Sequence, residues 1–235
     1  MLSISRQTNR QPEIFYSIQG EGITAGTPTM FLRLAFCNLR CDWCDTRYTW
    51  DWEHYNRREQ VVELSTEKVL EHLLTQDCRR LVITGGEPLI QQKSLIDLMT
   101  YTKEKGFYIE IETNGTIVPD SGLAGMVDQW NVSPKLSNSG NPRTLREVPE
   151  AYAYFTRQQS STFKYVIRSK RDLNEVEELI DKYGIKKQQI ILMPEAMDRA
   201  TLIERGKWLA EACKDRGYMF SSRLQILLWG RKRGV

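Results

Sequence analysis

The sequence lacks the features that mark membrane-spanning, secreted and nucleic-acid-binding proteins. No apolar run approaches the roughly 18–20 residues that a membrane-spanning helix requires. The first ten residues are polar and hold no apolar signal-peptide core. The 33 Lys and Arg residues nearly balance the 30 Asp and Glu residues, so the net charge is only +3, without the basic excess of a dedicated nucleic-acid binder. We therefore expect a cytoplasmic protein that contacts neither a membrane nor a nucleic acid.

Internal repeats, low-complexity tracts and long Pro- or Ser-rich linkers are absent as well, so no domain boundary is visible. The 235 residues are 40% hydrophobic and 27% charged, which is ordinary for a globular protein that buries a sizeable core. The basic run at 231–233 is too short to indicate an anionic polymer as a partner, and we interpret it as a solvated tail. The sequence predicts a single domain over residues 1–235.

Cysteine is scarce and unevenly placed, because three of the five cysteines, Cys37, Cys41 and Cys44, lie within eight residues. An odd and clustered set in a chain without signs of secretion does not indicate a disulfide framework. It indicates metal ligation, since thiolates are soft ligands that select zinc, copper(I) or iron–sulfur clusters. Cys78 and Cys213 stand alone and are predicted to be ordinary, partly buried thiols.

Short apolar runs alternate with longer amphipathic segments, which is the pattern of an α/β fold with a mainly parallel sheet. Ligands of such sheets bind beyond the carboxyl ends of the strands, and every candidate motif except the N-terminal one follows a predicted strand. We predict helices at 65–75, 94–105, 172–183 (with Asp172 as N-cap) and 198–216. We predict strands at 29–36, 81–83, 107–112, 127–132, 162–168 and 189–193, and a last strand within 218–229.

The spacing C-x3-C-x2-C places three thiolates on one loop, where they can hold three corners of a cubane iron–sulfur cluster. If no fourth cysteine joins them, one iron of that cluster has an open site for another ligand. The same residues also suit a structural zinc site, which requires four ligands and could be completed by His54 or by Cys78. The spacing alone favours neither the cluster nor zinc.

The residues around the cysteines resemble a known superfamily. With Trp43 as the aromatic residue, the pattern C-x3-C-x-aromatic-C is similar to the cluster motif of the radical S-adenosylmethionine (SAM) superfamily. The segment TGGEP at 84–88 follows a predicted strand, as the superfamily's GGEP segment does. The resemblance implies that Cys37, Cys41 and Cys44 bind a 4Fe–4S cluster whose fourth iron holds SAM. Reduction of SAM would then yield a 5′-deoxyadenosyl radical.

The same resemblance implies which residues bind SAM. We expect backbone carbonyls of Gly85 and Gly86 to meet the methionyl ammonium, because glycine lacks a Cβ and lets the backbone approach a ligand. Polar side chains at 133–135 suit the ribose and the carboxylate, and an indole can pack on adenine. The predicted SAM-binding residues are Trp43, Cys44, Asp45, Gly86, Ser133, Pro134 and Lys135.

Further motifs between about 15 and 135 narrow the resemblance to the 7-carboxy-7-deazaguanine synthase family. These motifs are IQGEG at 18–22, DT at 45–46, ETNG at 112–115 and SPK at 133–135. The resemblance implies a magnesium-using lyase of the queuosine pathway of tRNA modification. Its reaction would contract 6-carboxy-5,6,7,8-tetrahydropterin to 7-carboxy-7-deazaguanine with loss of ammonia.

The resemblance also implies the residues that hold the substrate and the magnesium ion. Thr46 is the implied magnesium ligand, and its single hydroxyl would need substrate oxygens and waters to complete the octahedral shell of the ion. Arg33 would hold the substrate carboxylate, since a guanidinium fork binds a carboxylate bidentately. The implied substrate-binding residues are Ile18, Gln19, Gly20, Arg33 and Thr84.

At the level of the whole molecule, the resemblance implies a partial (β/α) barrel of the radical SAM type, a homodimer, and an electron donor such as flavodoxin or ferredoxin. The polar stretch 48–63 and Pro149, which interrupts a possible helix between 144 and 158, predict a reduced helical side. After Gln225 the chain lacks the Thr-His-Lys sequence of some relatives, which leaves C-terminal substrate contacts undecided. No role is assigned to Glu112, Asn114, Lys164, Glu195 and Gln225.

Two other functions are compatible with part of the sequence. A glycyl-radical-enzyme activase would share the three cysteines and the Gly-rich segment, but it would not need the segment 18–22 or the pair at 45–46. A zinc-stabilised binding module would use Cys37, Cys41, Cys44 and His54 and would leave the other motifs unexplained. Iron and sulfide analysis separates this second alternative from a radical enzyme.

Overall fold

The computed structural model describes all 235 residues and contains a ten-stranded sheet with helices packed against it. The strands are β1 (Leu2–Ser5), β2 (Ile14–Ile18), β3 (Pro28–Leu34), β4 (Val61–Leu64), β5 (Arg80–Gly85), β6 (Tyr108–Thr113), β7 (Gln129–Val132), β8 (Ser161–Ile167), β9 (Ile190–Pro194) and β10 (Met219–Phe220). The helices are α1 (Arg57–Gln60), α2 (Thr66–Leu73), α3 (Gln92–Glu104), α4 (Ser121–Ala124), α5 (Arg143–Arg146), α6 (Pro149–Arg157), α7 (Lys170–Tyr183), α8 (Arg199–Arg216) and α9 (Leu224–Trp229).

Most of the sheet is parallel, which confirms the predicted α/β class. The strand order is β10-β9-β8-β7-β6-β5-β3-β1-β4, and β2 also pairs with β3. From β3 through β5 to β10 the neighbouring strands are parallel, whereas β1, β2 and β4 form antiparallel pairs. Parallel neighbours require crossover connections, and these return each following strand in the same direction. The carboxyl ends of the parallel strands therefore share one edge, as in a partial (β/α) barrel.

Alternation along the strands separates the apolar core from a polar face. On β3, Leu32 and Leu34 belong to the buried apolar cluster, whereas Arg33 between them lines a cavity. Strands β5, β6 and β8 repeat this arrangement because successive side chains of a strand point to opposite faces. The polar side chains that these strands add to the cavity are Thr84, Glu112 and Lys164.

All the predicted strands and helices are present, and the ends of the fully bounded ones lie within two residues of the predicted positions. The last strand, at Met219–Phe220, is much shorter than the segment predicted to contain it. Helix α9 occupies the second half of that segment, and its Ile226 packs in a small apolar cluster with Ala196 and Leu202. Strands β1, β2 and β4 were not predicted, and they form the antiparallel side of the sheet.

The predicted N-cap of α7 is wrong. The helix begins two residues before Asp172, and Ser169 is its N-cap. The carboxylate of Asp172 accepts the backbone N–H of Ser169 at 2.9 Å and that of Arg168 at 2.6 Å. Asp172 thus acts from the third helical position of a capping box, which satisfies N–H groups that would otherwise stay unpaired.

The expected reduction of the helical side is visible in two places. The stretch 48–63 contains only the short α1 and the start of β4. Pro149 is the first residue of α6 and separates it from α5, since proline has no N–H and fits the first turn of a helix. No helix is both long enough and apolar enough to cross a membrane.

Candidate active site

A cavity of about 450 Å³ lies at the carboxyl ends of the parallel strands. The structure brings together around this cavity nearly all the residues that were predicted to bind the cluster, SAM, substrate or magnesium. Those that line it are Ile18, Gln19, Gly20, Arg33, Cys37, Cys41, Trp43, Cys44, Asp45, Thr46, Thr84, Gly86, Ser133 and Lys135. Pro134 is the exception, because it does not belong to the lining.

The loop after β3 carries the three cysteines, and the sulfur of each meets an N–H donor. Such hydrogen bonds favour a thiolate and are one of the ways in which proteins tune iron–sulfur clusters. The donors are the backbone N–H of Leu39 for Cys37 (3.4 Å), the amide of Asn141 for Cys41 (3.3 Å) and the indole of Trp50 for Cys44 (3.3 Å). Three sulfurs on one cavity, each with a donor, fit a cluster held by three protein ligands.

Two of the three thiols are held protonated as long as no metal binds. Burial raises the pKa of Cys37 to about 12, and it also raises the pKa of Cys41. Metal ligation requires the thiolate, so binding of a cluster must release these protons.

The residues that could complete a zinc site do not join the three cysteines. His54 is 71% exposed and its Nδ1 lies 3.0 Å from a carboxylate oxygen of Asp51. Cys78 is buried elsewhere and contacts the backbone oxygen of Pro28 at 3.6 Å. No three side chains among His, Cys, Asp and Glu come close enough to hold one metal ion. The geometry therefore does not support the four-ligand zinc site that the spacing left open.

Gly85, the last residue of β5, and Gly86 after it lie too close to the neighbouring backbone to carry a Cβ. Gly85 has φ +137°, and a Cβ on it would overlap with the backbone of Leu34. A Cβ on Gly86 would overlap with the backbone oxygen of Phe36. The expectation that missing Cβ atoms open the backbone to a ligand is thus incomplete, since both glycines first permit close packing on the end of β3.

A buried carboxylate connects the GGEP segment to the next strand end. Glu87 is fully buried and accepts the hydroxyl of Thr113 at 2.8 Å and the backbone N–H of Asn114 at 2.6 Å. It also accepts the backbone N–H of Leu89 at 3.0 Å. These bonds hold two loops of the cavity wall in register with each other.

The predicted adenine and ribose contacts come from side chains that touch one another. The ammonium of Lys135 lies 3.0 Å from the hydroxyl of Ser133 and 5.4 Å from the centre of the Trp43 ring. The Trp43 indole donates to the backbone oxygen of Asn138 at 3.1 Å, which fixes the orientation of the ring. The three side chains therefore form one connected part of the cavity wall.

Arg33 has a side-chain partner for only one of its donor atoms. Its Nε donates to Glu13 at 2.8 Å, and the hydroxyl of Tyr48 donates to the two oxygens of the same carboxylate at 3.0 and 2.9 Å. Burial opposes the charged form, but the Glu13 carboxylate more than offsets this and raises the pKa of Arg33. The terminal nitrogens of Arg33 have no acceptor in the protein, so its fork is available to an anion in the cavity.

A buried ionic network joins the segment 18–22 to four other parts of the chain. Lys164 lies 2.7 Å from Glu21 and 2.9 Å from Glu112, while Arg223 lies 3.0 Å from Glu21 and also pairs with Asp45. Burial opposes ionisation of Glu21, but Lys164 and Arg223 outweigh it and hold the pKa of that carboxyl well below its usual range. The network therefore stays charged, as paired buried ions can.

The sequence carries a signal for only some members of this network. Lys164 in the otherwise apolar-looking strand β8 is a signal, because a lysine is buried only when it is paired. Arg223 offers no such signal, since it lies in a loop between β10 and α9. Its two ion-pair partners, Glu21 and Asp45, lie in the first 45 residues of the chain, and only folding brings them to Arg223.

The basic run at 231–233 lies along the cavity, so the solvated-tail interpretation is wrong for part of it. The guanidinium carbon of Arg233 lies 3.4 Å from the centre of the Tyr48 ring, and its Nη1 donates to Gln60 at 3.2 Å. Stacking on an aromatic face is favourable for a guanidinium. Arg231 and Lys232 are exposed, as a solvated segment would be.

Comparison with known proteins relates the chain to one family. The model of the radical SAM superfamily matches residues 32–199. The chain is 36% identical to a 7-carboxy-7-deazaguanine synthase of Pyrobaculum aerophilum, over 94% of this chain and 95% of that protein. It is 33% identical to the 7-carboxy-7-deazaguanine synthase of Hyperthermus butylicus, over 93% of this chain and 92% of that protein.

A solved structure gives the same relationship at the level of the fold. The crystal structure of QueE from Escherichia coli superimposes with a TM-score of 0.71 at 26% sequence identity. The match covers 94% of this chain and 93% of that chain. The similarity therefore extends over nearly the whole length of both chains.

Proposed function

The chain belongs to the radical SAM superfamily and, within it, to the 7-carboxy-7-deazaguanine synthase family, and from this membership we propose that it is a lyase acting on a carboxylated pterin. The proposed reaction converts 6-carboxy-5,6,7,8-tetrahydropterin to 7-carboxy-7-deazaguanine with loss of ammonia. The observation that carries the proposal is that three cysteine sulfurs and the free fork of Arg33 line one cavity.

The cluster and SAM would occupy the side of the cavity formed by the loops after β3, β5 and β7. Cys37, Cys41 and Cys44 would hold a 4Fe–4S cluster, and the residues at 84–86 and 133–135 would bind SAM. When bound, these groups would supply the radical chemistry for hydrogen abstraction at the substrate carbon bearing the carboxylate. The donors to the three sulfurs support this assignment, because they stabilise thiolate ligands.

The substrate would lie between the strand face of β3 and the segment 18–20. The fork of Arg33 would bind the carboxylate, while Glu13 and Tyr48 hold its orientation from behind. Gln19 is buried with its side-chain amide 3.3 Å from Glu112, so the segment 18–20 is fixed beside the cavity, where it would meet the polar edge of a pterin. The segment 230–235 covers part of the cavity and would restrict the access of water to it.

An anaerobic turnover assay tests the proposed function. Purified protein with a reconstituted cluster, SAM and dithionite should convert the tetrahydropterin to the deazaguanine acid with release of ammonia. A glycyl-radical activase would instead cleave SAM only with a partner enzyme and would leave the pterin unchanged. Failure to form the deazaguanine acid, with the cluster intact and SAM cleaved, contradicts the proposal.

The magnesium ion of the proposed reaction would bind at Thr46. The hydroxyl of Thr46 lies 3.6 Å from the sulfur of Cys44 and lines the cavity, which supports a magnesium site next to the proposed cluster and substrate. One hydroxyl is a weak ligand for Mg²⁺, so the remaining positions would be filled by substrate oxygens and water. The ion would act as a template that orients the pterin.

We expect Thr46→Ala to abolish most of the stimulation of turnover by magnesium, because the variant lacks the protein's oxygen ligand. Thr46→Ser should retain most of it, since the hydroxyl remains. Turnover is measured as a function of Mg²⁺ concentration, together with iron content and SAM binding, which should not change. Thr100→Ala on the outer helix α3 is the matched control. Equal stimulation of wild type and Thr46→Ala would remove Thr46 from the magnesium site.

Further properties of the protein belong to the same proposal. We propose a single domain over residues 1–235, a cytoplasmic location, a place in the queuosine pathway, and flavodoxin or ferredoxin as the electron donor. The small net charge of +3 agrees with a protein that binds no nucleic acid. Exposed apolar side chains on α9, Leu228 and Trp229, support a homodimer, since such side chains often mark contact surfaces.

A further inference from the structure

Arg223 contacts three segments that are distant in the sequence. Its Nε donates to Glu21 at 3.0 Å, one terminal nitrogen donates to the backbone oxygen of Ala196 at 2.5 Å, and the other terminal nitrogen donates to Asp45. The side chain is only 9% exposed. Each of its three nitrogens therefore has a partner within the protein.

The two carboxylates that Arg223 joins belong to different parts of the proposed site. Asp45 lies between Cys44 and Thr46 on the cluster loop. Glu21 directly follows the segment 18–20, which is proposed to meet the substrate. A rigid guanidinium fork that binds both carboxylates fixes the distance between the two segments.

The two ends of this bridge depend on Arg223 to different extents. Glu21 also pairs with Lys164 and accepts the amide of Gln225 at 2.7 Å, so it keeps partners if Arg223 is lost. Asp45 is 44% exposed and has no other ion pair. Loss of Arg223 therefore removes the one ion pair that holds Asp45 and leaves the rest of the network in place.

We propose that Arg223 is a positioning residue that fixes Asp45 and Thr46 relative to Glu21, and so sets the position of the magnesium ligand against the substrate segment. The inference rests on the proposed function of the cavity. Magnesium demands near-ideal octahedral geometry, so a small displacement of Thr46 weakens a site that the protein and the substrate share. Cluster ligation is less affected, because the three cysteines are held by their own contacts.

Arg223→Lys tests the inference in the cluster-loaded enzyme, since lysine keeps the charge but replaces the rigid planar fork, which sets the geometry between the two carboxylates, with a single ammonium on a flexible stem. We expect the half-saturating Mg²⁺ concentration for turnover to rise about tenfold, the ratio that follows from losing about 1.4 kcal/mol of binding free energy. Iron content and SAM cleavage without substrate should not change. Arg216→Lys is the matched control, because Arg216 pairs with Glu177 at 3.0 Å away from the cavity.

A second measurement does not depend on turnover. Amide hydrogen exchange of the reconstituted protein should be faster in Arg223→Lys than in wild type for residues 42–50, and unchanged for β5 and β6. Unchanged exchange at 42–50 overturns the inference, whether or not the enzyme forms product. If wild type does not turn over the pterin, the proposed function fails, and the exchange data still decide whether Arg223 positions the loop.

The turnover data can also contradict the inference by themselves. An unaltered magnesium dependence in Arg223→Lys shows that the bridge does not position Thr46. A parallel loss of iron, SAM cleavage and turnover shows that Arg223 merely maintains the fold. Asp45→Asn, which weakens the same bridge from the other side, should reproduce the magnesium effect of Arg223→Lys, and the double variant should be little worse than either single one.

Discussion

Replacing Cys37, Cys41 or Cys44 with alanine is expected to remove the iron from anaerobically reconstituted protein and to reduce product formation to background. Each sulfur would hold one iron of the cluster, and the structure offers no other cysteine on the cavity that could take its place. Because radical chemistry requires the cluster, loss of any one ligand removes the whole activity rather than a part of it. Iron, sulfide and the ultraviolet–visible spectrum are measured together with turnover.

Two other cysteines provide matched controls for this experiment. Cys78 and Cys213 are free and buried but do not line the cavity, so Cys78→Ala and Cys213→Ala should retain iron, sulfide and activity. Protein that binds zinc stoichiometrically and no sulfide would support the zinc-stabilised module instead. Retention of a full cluster in Cys41→Ala would exclude that residue as a ligand.

Arg33→Lys is expected to raise the KM for the tetrahydropterin by about 10- to 100-fold, as expected from the loss of hydrogen bonds to a charged group. The structure makes the reason specific. Glu13 occupies the Nε of Arg33, and the terminal fork alone faces the cavity. A lysine has a single ammonium, which would pair with Glu13 and could not offer the substrate carboxylate the bidentate fork of Arg33. SAM cleavage without substrate should stay close to the wild-type rate.

The matched control for Arg33 lies in the same sheet. Arg80 at the amino end of β5 pairs with buried Glu110 at 3.1 Å and does not line the cavity. Arg80→Lys therefore makes the same chemical change to a similar ion pair, and it should leave the KM for the pterin unchanged. An unaltered KM in Arg33→Lys would show that the carboxylate binds elsewhere.

Local signals predicted the secondary structure well where they were strong. Strand β3 corresponds to the apolar run at 29–36, and helix α8 corresponds to the amphipathic pattern at 198–216. Both could be predicted because the spacing of apolar residues within a short segment indicates a strand or a helix. Strands β1 and β4 are only four residues long, too short for a clear alternation to stand out. Their pairing with each other depends on residues about 60 positions apart.

The sequence by itself predicted nearly all the residues that the structure brings to one cavity, because the cysteine spacing and the motif segments are local patterns. It also determined the α/β class, since strand and helix periodicities differ. Tertiary structure decided how these residues are used. Glu13 as partner of Arg33, Glu21 as partner of Lys164 and Arg223, and Arg233 on Tyr48 are contacts between residues distant in the chain.

Those contacts could not be predicted because the residues next to a charged side chain in the sequence do not indicate which distant residue will pair with it. Any buried ion needs a counterion, but its identity depends on which strand faces which loop once the sheet has formed. The glycines after β5 show the same limit. Their sequence predicted an approach to a ligand, and the folded chain adds a second reason for glycine, since a Cβ on Gly85 would overlap with Leu34 at the end of β3 and a Cβ on Gly86 with Phe36 just beyond it.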